Sequence, residues 1–268
     1  MPLLHAPSDP AVTPPPGPGD PPARRGRVVA VTGTSGGAGA SALAAAIAVR
    51  ARLAGRTACL VDLDPWGGGL DVVVGAEQER GLRWPDLGRL AGRADGPALL
   101  AALPRAQVRG DLPVLAHDPR SAGPGPEVSL EVVTALAGVV DLLVLDRPGR
   151  VAGAVPSLEV ELDEQLLLVR PGVAGVCALT AHRTAHPVGP PPQVVLRGVD
   201  DRQRDDLVVL LAEHFALPVA AVLPDDRSLP RDLLHGVPPG TSRGPLAATA
   251  DVLLLRLLPI PFDHPAVA

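Results

Sequence analysis

Four glycines and a hydroxyl stand at a spacing that suits phosphate. The run Val31-Thr-Gly-Thr-Ser-Gly-Gly-Ala-Gly-Ala-Ser41 sets Gly33, Gly36, Gly37 and Gly39 between a short apolar stretch and an alanine-rich one. A phosphate needs backbone N–H donors aimed into a cavity, with a helix N-terminus behind them. Glycine permits the close backbone approach that such a loop requires. Ser41 falls at the helix start, where a phosphate-binding loop presents a magnesium-binding hydroxyl. The plainer reading is a glycine-rich turn that binds nothing, which a chain with 29 glycines makes plausible.

Three carboxylates come next in a suggestive order. Leu60-Val-Asp-Leu-Asp-Pro65 puts Asp62 and Asp64 at the end of an apolar run. Carboxylates at a strand's C-terminal end point into the crevice of a parallel sheet. The alternative is that Asp62 caps the adjacent loop and Asp64 is a solvated turn residue. Asp141-Leu-Leu-Val-Leu-Asp146 ends four apolar residues in an aspartate. That is the form of a strand whose carboxylate orients magnesium through water. The alternative is an aspartate that turns the next loop.

The elements that must position these groups read as alternating strands and helices. Strands are expected at Val28–Val31, Thr57–Val61, Pro113–Ala116, Leu142–Leu145, Gln165–Val169, Gln193–Leu196 and Pro218–Val222. Helices are expected at Ser41–Ala54, Glu127–Ala137, Val173–Arg183, Asp201–Phe215, Leu229–His235 and Leu246–Leu258. Short helices are expected near Trp84–Gly92 and Pro97–Leu103. Apolar strands without alternation, separated by helices, predict an α/β fold: a mostly parallel central sheet with helices on both faces. Residues 1–26 are a Pro-rich stretch read as a disordered leader or linker, 27–260 as one domain and 261–268 as a tail.

Composition removes several function classes. Net charge is −5 and no basic run is present, so DNA binding is not expected. All 24 basic residues are arginine. No apolar run reaches the roughly 18 residues needed to span a bilayer, and the first 22 residues have no signal-peptide core. Cys59 and Cys177 are both expected to be buried and reduced, in line with a cytoplasmic location. His182 and His186 read as surface groups rather than a metal pair, and Trp66 as an anchor of its loop. The apolar stretch Ala247–Leu258 reads as a final core helix rather than a membrane anchor, since no basic face succeeds it.

Taken in order, the glycine loop and the aspartates resemble the deviant Walker A ATPases of the MinD/ParA group, over most of residues 27–258. That family's loop reads roughly K-G-G-x-G-K-[ST]. Laid on this chain, its first lysine falls on Ser35, its glycines on Gly36, Gly37 and Gly39, its second lysine on Ala40 and its hydroxyl on Ser41. Its first switch motif resembles Asp62, Asp64 and Leu70-Asp71. Its second falls on Asp146 and Pro148, with Arg150 where a glycine is expected and Gly149 one position early. The run Leu223-Pro-Asp-Asp-Arg-Ser-Leu229, with His235-Gly236-Val237-Pro238, looks like the family's segment near the adenine, and Arg197 falls near another base-contacting position. Within the group the likeness is to CpaE-like, septum-site-determining proteins, carried by Leu168–Gly175, Val195–Gly198 and Arg243–Ala247. Such proteins commonly carry a receiver-like N-terminal domain, and the Pro-rich leader is expected to mark where one was lost or mis-annotated.

The resemblance implies a P-loop NTPase-like fold that binds ATP or ADP with Mg2+. The nucleotide would be held by Gly33, Ser35, Gly36, Gly37, Ala38, Gly39, Ala40, Ser41, Ala42, Arg197, Pro224 and Asp225. The metal would be held by Ser41, Asp64 and Asp146, with Asp62 and Asp64 as catalytic candidates. The two missing lysines change the expected activity. Losing a charge-assisted hydrogen bond costs about 1.5–3 kcal/mol, whereas the helix dipole contributes about 0.3–2 kcal/mol. Weak binding survives that arithmetic better than hydrolysis does. The expectation is a regulatory or scaffolding protein for septum placement or pilus and secretion-system assembly, with weak or no turnover. A working ATPase and a ParA-like DNA-positioning protein are the alternatives. Division or secretion proteins are the expected partners, with a homodimer and peripheral contact with the inner face of the plasma membrane left open.

Overall fold

The computed structural model describes residues 25–65, 67–89, 92–118, 125–149, 161–185, 190–199 and 201–258. Residues 1–24 of the leader, Trp66, Arg150, His186 and the tail at 261–268 lie outside the described residues.

Eight strands form one sheet. They are β1 (Arg27–Gly33), β2 (Ala58–Asp62), β3 (Arg105–Ala106), β4 (Leu112–Leu115), β5 (Leu142–Arg147), β6 (Glu164–Val169), β7 (Gln193–Arg197) and β8 (Val219–Leu223). Their order across the sheet is β3-β4-β2-β5-β1-β6-β7-β8. Every pairing is parallel except that of β3 with β4. The helices are α1 (Ala40–Leu53), α2 (Leu70–Val73), α3 (Gly96–Ala102), α4 (Pro126–Ala137), α5 (Val173–Ala185), α6 (Asp201–Phe215), α7 (Leu229–Leu234) and α8 (Pro245–Leu257), with a 3-10 turn at Trp84–Arg89.

The lack of alternation in the strands has a direct cause. Successive residues of β1 point to opposite faces, and both faces are covered. Val29 and Val31 enter a core shared with α1 and α8. Val28 and Ala30 enter a second core with Leu99 of α3 and Val132, Val133 and Leu136 of α4. Leu167, Val169, Val194 and Leu196 form a third with Leu179 of α5 and Leu211 of α6. Helix α1 is buried along its length, so it is apolar on nearly every side: Leu43 through Val49 are wholly inaccessible. Helix α8 lies beside it, and Arg50 clasps Asp251 through Nε–Oδ1 at 2.6 Å and Nη2–Oδ2 at 2.8 Å. Among the described residues no helix is long and apolar enough to cross a membrane.

Two expectations are corrected on α5. Cys177 is exposed, while His182 is buried. Residues three apart share a helix face, so His182 goes inward with the buried Leu179. Cys177, two residues before Leu179, falls on the opposite side. Cys59 is buried on β2, and burial pushes its thiol up to about 12.

Candidate functional site

The glycine loop opens where β1 meets α1. Thr34 fastens its start: its N–H (3.0 Å) and its hydroxyl (3.1 Å) both donate to the Leu168 carbonyl at the end of β6. The Ala38 N–H turns back to the Ser35 carbonyl at 3.2 Å. Gly37 and Gly39 have φ of 72° and 94°, a region that side-chain-bearing residues avoid. Gly39 is the N-cap of α1, and no side chain caps this helix or places a carboxylate in its first turn. The positive end of the helix dipole is therefore directed at the loop. None of the described residues accepts from the N–H groups of Gly36, Gly37, Gly39, Ala40 or Ser41. Ser35, Gly36 and Gly37 are exposed, Ala38 and Ala42 are buried, and Gly39, Ala40 and Ser41 lie between these extremes.

Two arginines reach this loop from neighbouring strand ends. Arg170, one residue past β6, donates from Nη2 to the Gly37 carbonyl at 2.9 Å. Arg197, the last residue of β7, donates from Nη1 to the Ala38 carbonyl at 2.9 Å. The Arg197 guanidinium fills the space that a side chain at Gly39 would need. Asp225 Oδ1 lies 3.5 Å from Arg197 Nε, and Pro224 is exposed beside it. The Gly198 N–H bonds the Leu223 carbonyl at 3.0 Å, which joins the ends of β7 and β8. Arg197, Pro224 and Asp225 thus gather at the loop. Arg170 was not foreseen; a lone arginine after an apolar run is the only trace it leaves in the sequence.

The carboxylates meet on the other side of β1. Asp62 and Asp146 are register partners on β2 and β5, so they share a face at the C-terminal end of two interior strands. Burial pushes the Asp146 carboxyl up to about 7, against the pull of the Ser41 hydroxyl, and the charges of Asp62 and Asp64 add to the rise. Burial also pushes Asp62 up to about 6, against its bonds from the backbone. Those bonds span the next loop: Asp62 Oδ1 accepts from the Asp64 N–H at 2.9 Å and Oδ2 from the Leu70 N–H at 3.1 Å.

Further residues brace that loop; the sequence marks Asp71 and Gly149 but not the roles of Trp84, His117 and Arg83. Trp84 is buried and donates from Nε1 to the Asp62 carbonyl at 2.6 Å. Its ring stacks on His117, centroids 5.8 Å apart. Burial takes His117 down to about 4, against the charge of Asp64. Arg83 Nε pairs with the buried Asp71 Oδ2 at 3.0 Å. After β5, a side chain at Gly149 would overlap the Gly33 carbonyl oxygen, so the two backbones touch. Arg147, at the end of β5, has its pKa lowered by burial.

The donor set fits magnesium better than a softer metal. Among the described residues no group of three or more His, Cys, Asp or Glu side chains is placed to hold an ion. What the site offers is one hydroxyl, one buried carboxylate and the neighbouring charge of Asp64. Magnesium takes one or two carboxylates and completes its octahedron with phosphate oxygens and water. A divalent cation would relieve the crowding of charge that raises Asp146.

No protein-family model matches the chain. Two uncharacterized proteins from strains of Mycobacterium tuberculosis are 49% identical to it over 80 residues. That stretch is 30% of this chain and only 22% of each relative. Among solved structures, the ParA family ATPase of Chlorobium tepidum is similar with a TM-score of 0.69 and 17% identity, over 85% of this chain and 98% of that one. MinD of Aquifex aeolicus in its complex with MinC gives 0.67 and 20%, over 89% and 99%. MinD of Pyrococcus horikoshii with Mg-ADP gives 0.67 and 19%, over 87% and 96%. The fold is that of the MinD/ParA P-loop NTPases.

Proposed function

We propose that the chain is a degenerate relative of the MinD/ParA ATPases. It serves as a regulatory or scaffolding protein that holds a nucleotide with magnesium weakly and turns it over very slowly or not at all. The observation that carries this reading is a loop with N–H donors open at the head of α1 whose two lysine positions are Ser35 and Ala40. The N–H groups of Gly36, Gly37, Gly39, Ala40 and Ser41 would cradle the phosphates, that of Ala38 being taken by the Ser35 carbonyl. Ser41 and Asp146 would hold the magnesium, with Asp64 beside them. Arg197 stands on the loop itself, and Pro224 and Asp225 would flank the nucleotide further out.

Phosphoryl transfer needs positive charge at the γ-phosphate and the leaving oxygen. No lysine supplies it here, so binding persists where turnover does not. Arg147 is the nearest cation in sequence to Asp146, but it is half-buried at the end of β5. Calorimetric titration with ATP and ADP in the presence of magnesium should give weak binding, and a single-turnover assay should give little phosphate release. Brisk hydrolysis that Asp146→Ala abolishes would sink the reading in favour of a working ATPase. The specific observation favouring that second reading is the arginine pair on the loop.

Its partners are read as proteins. The MinD of Aquifex aeolicus is solved with MinC, and a division or pilus/secretion assembly is the corresponding setting for a CpaE-like chain. The MinD/ParA group pairs around ATP, and Ser35 stands where the lysine reaching the other protomer's nucleotide would be. Nucleotide-driven dimerisation is accordingly expected to be weak, which sedimentation with and without ATP would measure.

A further inference from the structure

We infer that Arg170 and Arg197 together do the electrostatic work of the missing lysine, as cis-acting cations of the phosphate cradle. The inference rests on the nucleotide-binding reading and names the residues that make such binding workable. The two guanidiniums sit on consecutive peptide units of the loop, on the carbonyls of Gly37 and Ala38, each at 2.9 Å.

The geometry acts in two ways. In a trans peptide the carbonyl and the N–H point in opposite directions. A guanidinium on the Ala38 carbonyl therefore turns the Gly39 N–H away from β7. The one on the Gly37 carbonyl fixes the peptide unit whose Ala38 N–H closes the turn onto the Ser35 carbonyl. The cradle is thus shaped by side chains that stand behind it. The second effect is charge. Arginine stays protonated at any working pH, so two positive charges lie against a loop that has no basic residue of its own between Gly33 and Ser41. Each guanidinium has five N–H donors, and the loop carbonyl takes one from each.

The absence of a side chain at Gly39 is part of the same arrangement. The Arg197 guanidinium occupies that space. Asp225 steadies the other side of the fork at 3.5 Å, and it is mostly exposed, so it only partly offsets the arginine's charge. This chemistry sets the ligand class: a nucleoside di- or triphosphate whose phosphate chain carries more than one negative charge.

The test is calorimetric titration of the full chain with Mg-ATP and Mg-ADP, with circular dichroism to show that each variant is folded. Arg170→Ala and Arg197→Ala should each weaken binding about tenfold or more, the range of one charge-assisted hydrogen bond. Adding Ala40→Lys to the double alanine variant should restore at least part of the loss. If the arginines do the lysine's work, Ala40→Lys gains more in that background than in the wild type, whereas a purely structural role at β6 and β7 gives it the same gain in both. Wild-type binding that both alanine variants leave unchanged overturns this inference alone. A gain from Ala40→Lys that is no larger in the double alanine variant than in the wild type overturns it too, since the arginines would then be structural. A wild type that takes up neither nucleotide overturns the reading of function together with this inference.

Discussion

At the level of single residues, the site depends on contacts that leave no room for a side chain. Gly149 faces the carbonyl of Gly33, so a methyl there must push apart the end of β1 and the loop after β5. Gly36, in the same cradle, has nothing within contact distance and no positive φ. Gly149→Ala should therefore cost about 1–3 kcal/mol in urea unfolding, while Gly36→Ala should be nearly neutral. Equal effects would show that the close approach is not what matters. Asp141 offers a second, independent check. Its carboxylate accepts from the Thr57 N–H at 2.7 Å and the Thr57 hydroxyl at 2.8 Å, tying the starts of β2 and β5. Burial works against its charge, yet the Thr57 bonds and the nearby arginines hold its pKa below the ordinary 3.8. The folded state then binds fewer protons than the unfolded one near that value. The stabilisation is present above 3.8 and fades as pH falls through the lowered pKa. Wild type should be more stable than Asp141→Asn at neutral pH, with the gap closing as the pH falls below 3.8. A gap that stays constant throughout would mean the charge contributes nothing.

At the level of elements, helix α8 shows which kind of contact dominates. Its Arg50–Asp251 pair is well formed, but Asp251 is 45% exposed, and such pairs contribute about 0–1 kcal/mol. Leu253 and Leu257 are wholly buried against α1 and the sheet. Truncating either should cost about 2–5 kcal/mol, so Leu253→Ala should lower the urea midpoint far more than Arg50→Ala. The reverse order would mean that α8 is held on by charge. The same burial explains why this helix was readable as a core element: five leucines close together with only Asp251 and Arg256 charged leave little else for it to do. Most elements were legible for that reason, since apolar runs bounded by Gly and Pro mark both strands and helices. β3 was not, because two residues, Arg105–Ala106, carry no period, and only pairing with β4 makes them a strand. α2 is one turn at the end of a glycine run, held by the Asp62 carboxylate on the Leu70 N–H rather than by helix propensity. The three aspartates were visible as strand ends. That Asp62 and Asp146 stand side by side was not, because the register of β2 against β5 joins segments far apart in the chain. Arg170 was hidden for the same reason, as its carbonyl partner is 133 residues away.

At the level of the whole molecule, the glycine loop and the strand ends that serve it are one cooperative unit. Thr34 ties the loop to β6, Arg170 and Arg197 tie it to the ends of β6 and β7, and Gly149 packs the end of β5 against it. A ligand that binds only the assembled loop must therefore stabilise the entire sheet. The stabilisation is RT ln(1 + [L]/Kd), about 2.7 kcal/mol at a hundredfold excess over Kd. With Mg-ADP at millimolar levels and weak binding, the rise in melting temperature should be small in the wild type. Introducing Ala40→Lys into the wild type adds a charge-assisted bond to the phosphates, which should tighten binding by about 10–100-fold. Once nucleotide saturates both proteins, each tenfold in Kd is about 1.4 kcal/mol of added stability. The melting temperature of the variant should then climb with Mg-ADP concentration well above that of the wild type, while the two proteins melt alike without nucleotide. An Ala40→Lys chain that melts at the same temperature with and without Mg-ADP would show that the head of α1 is not where phosphate sits, and would leave the loop as a turn that braces the sheet.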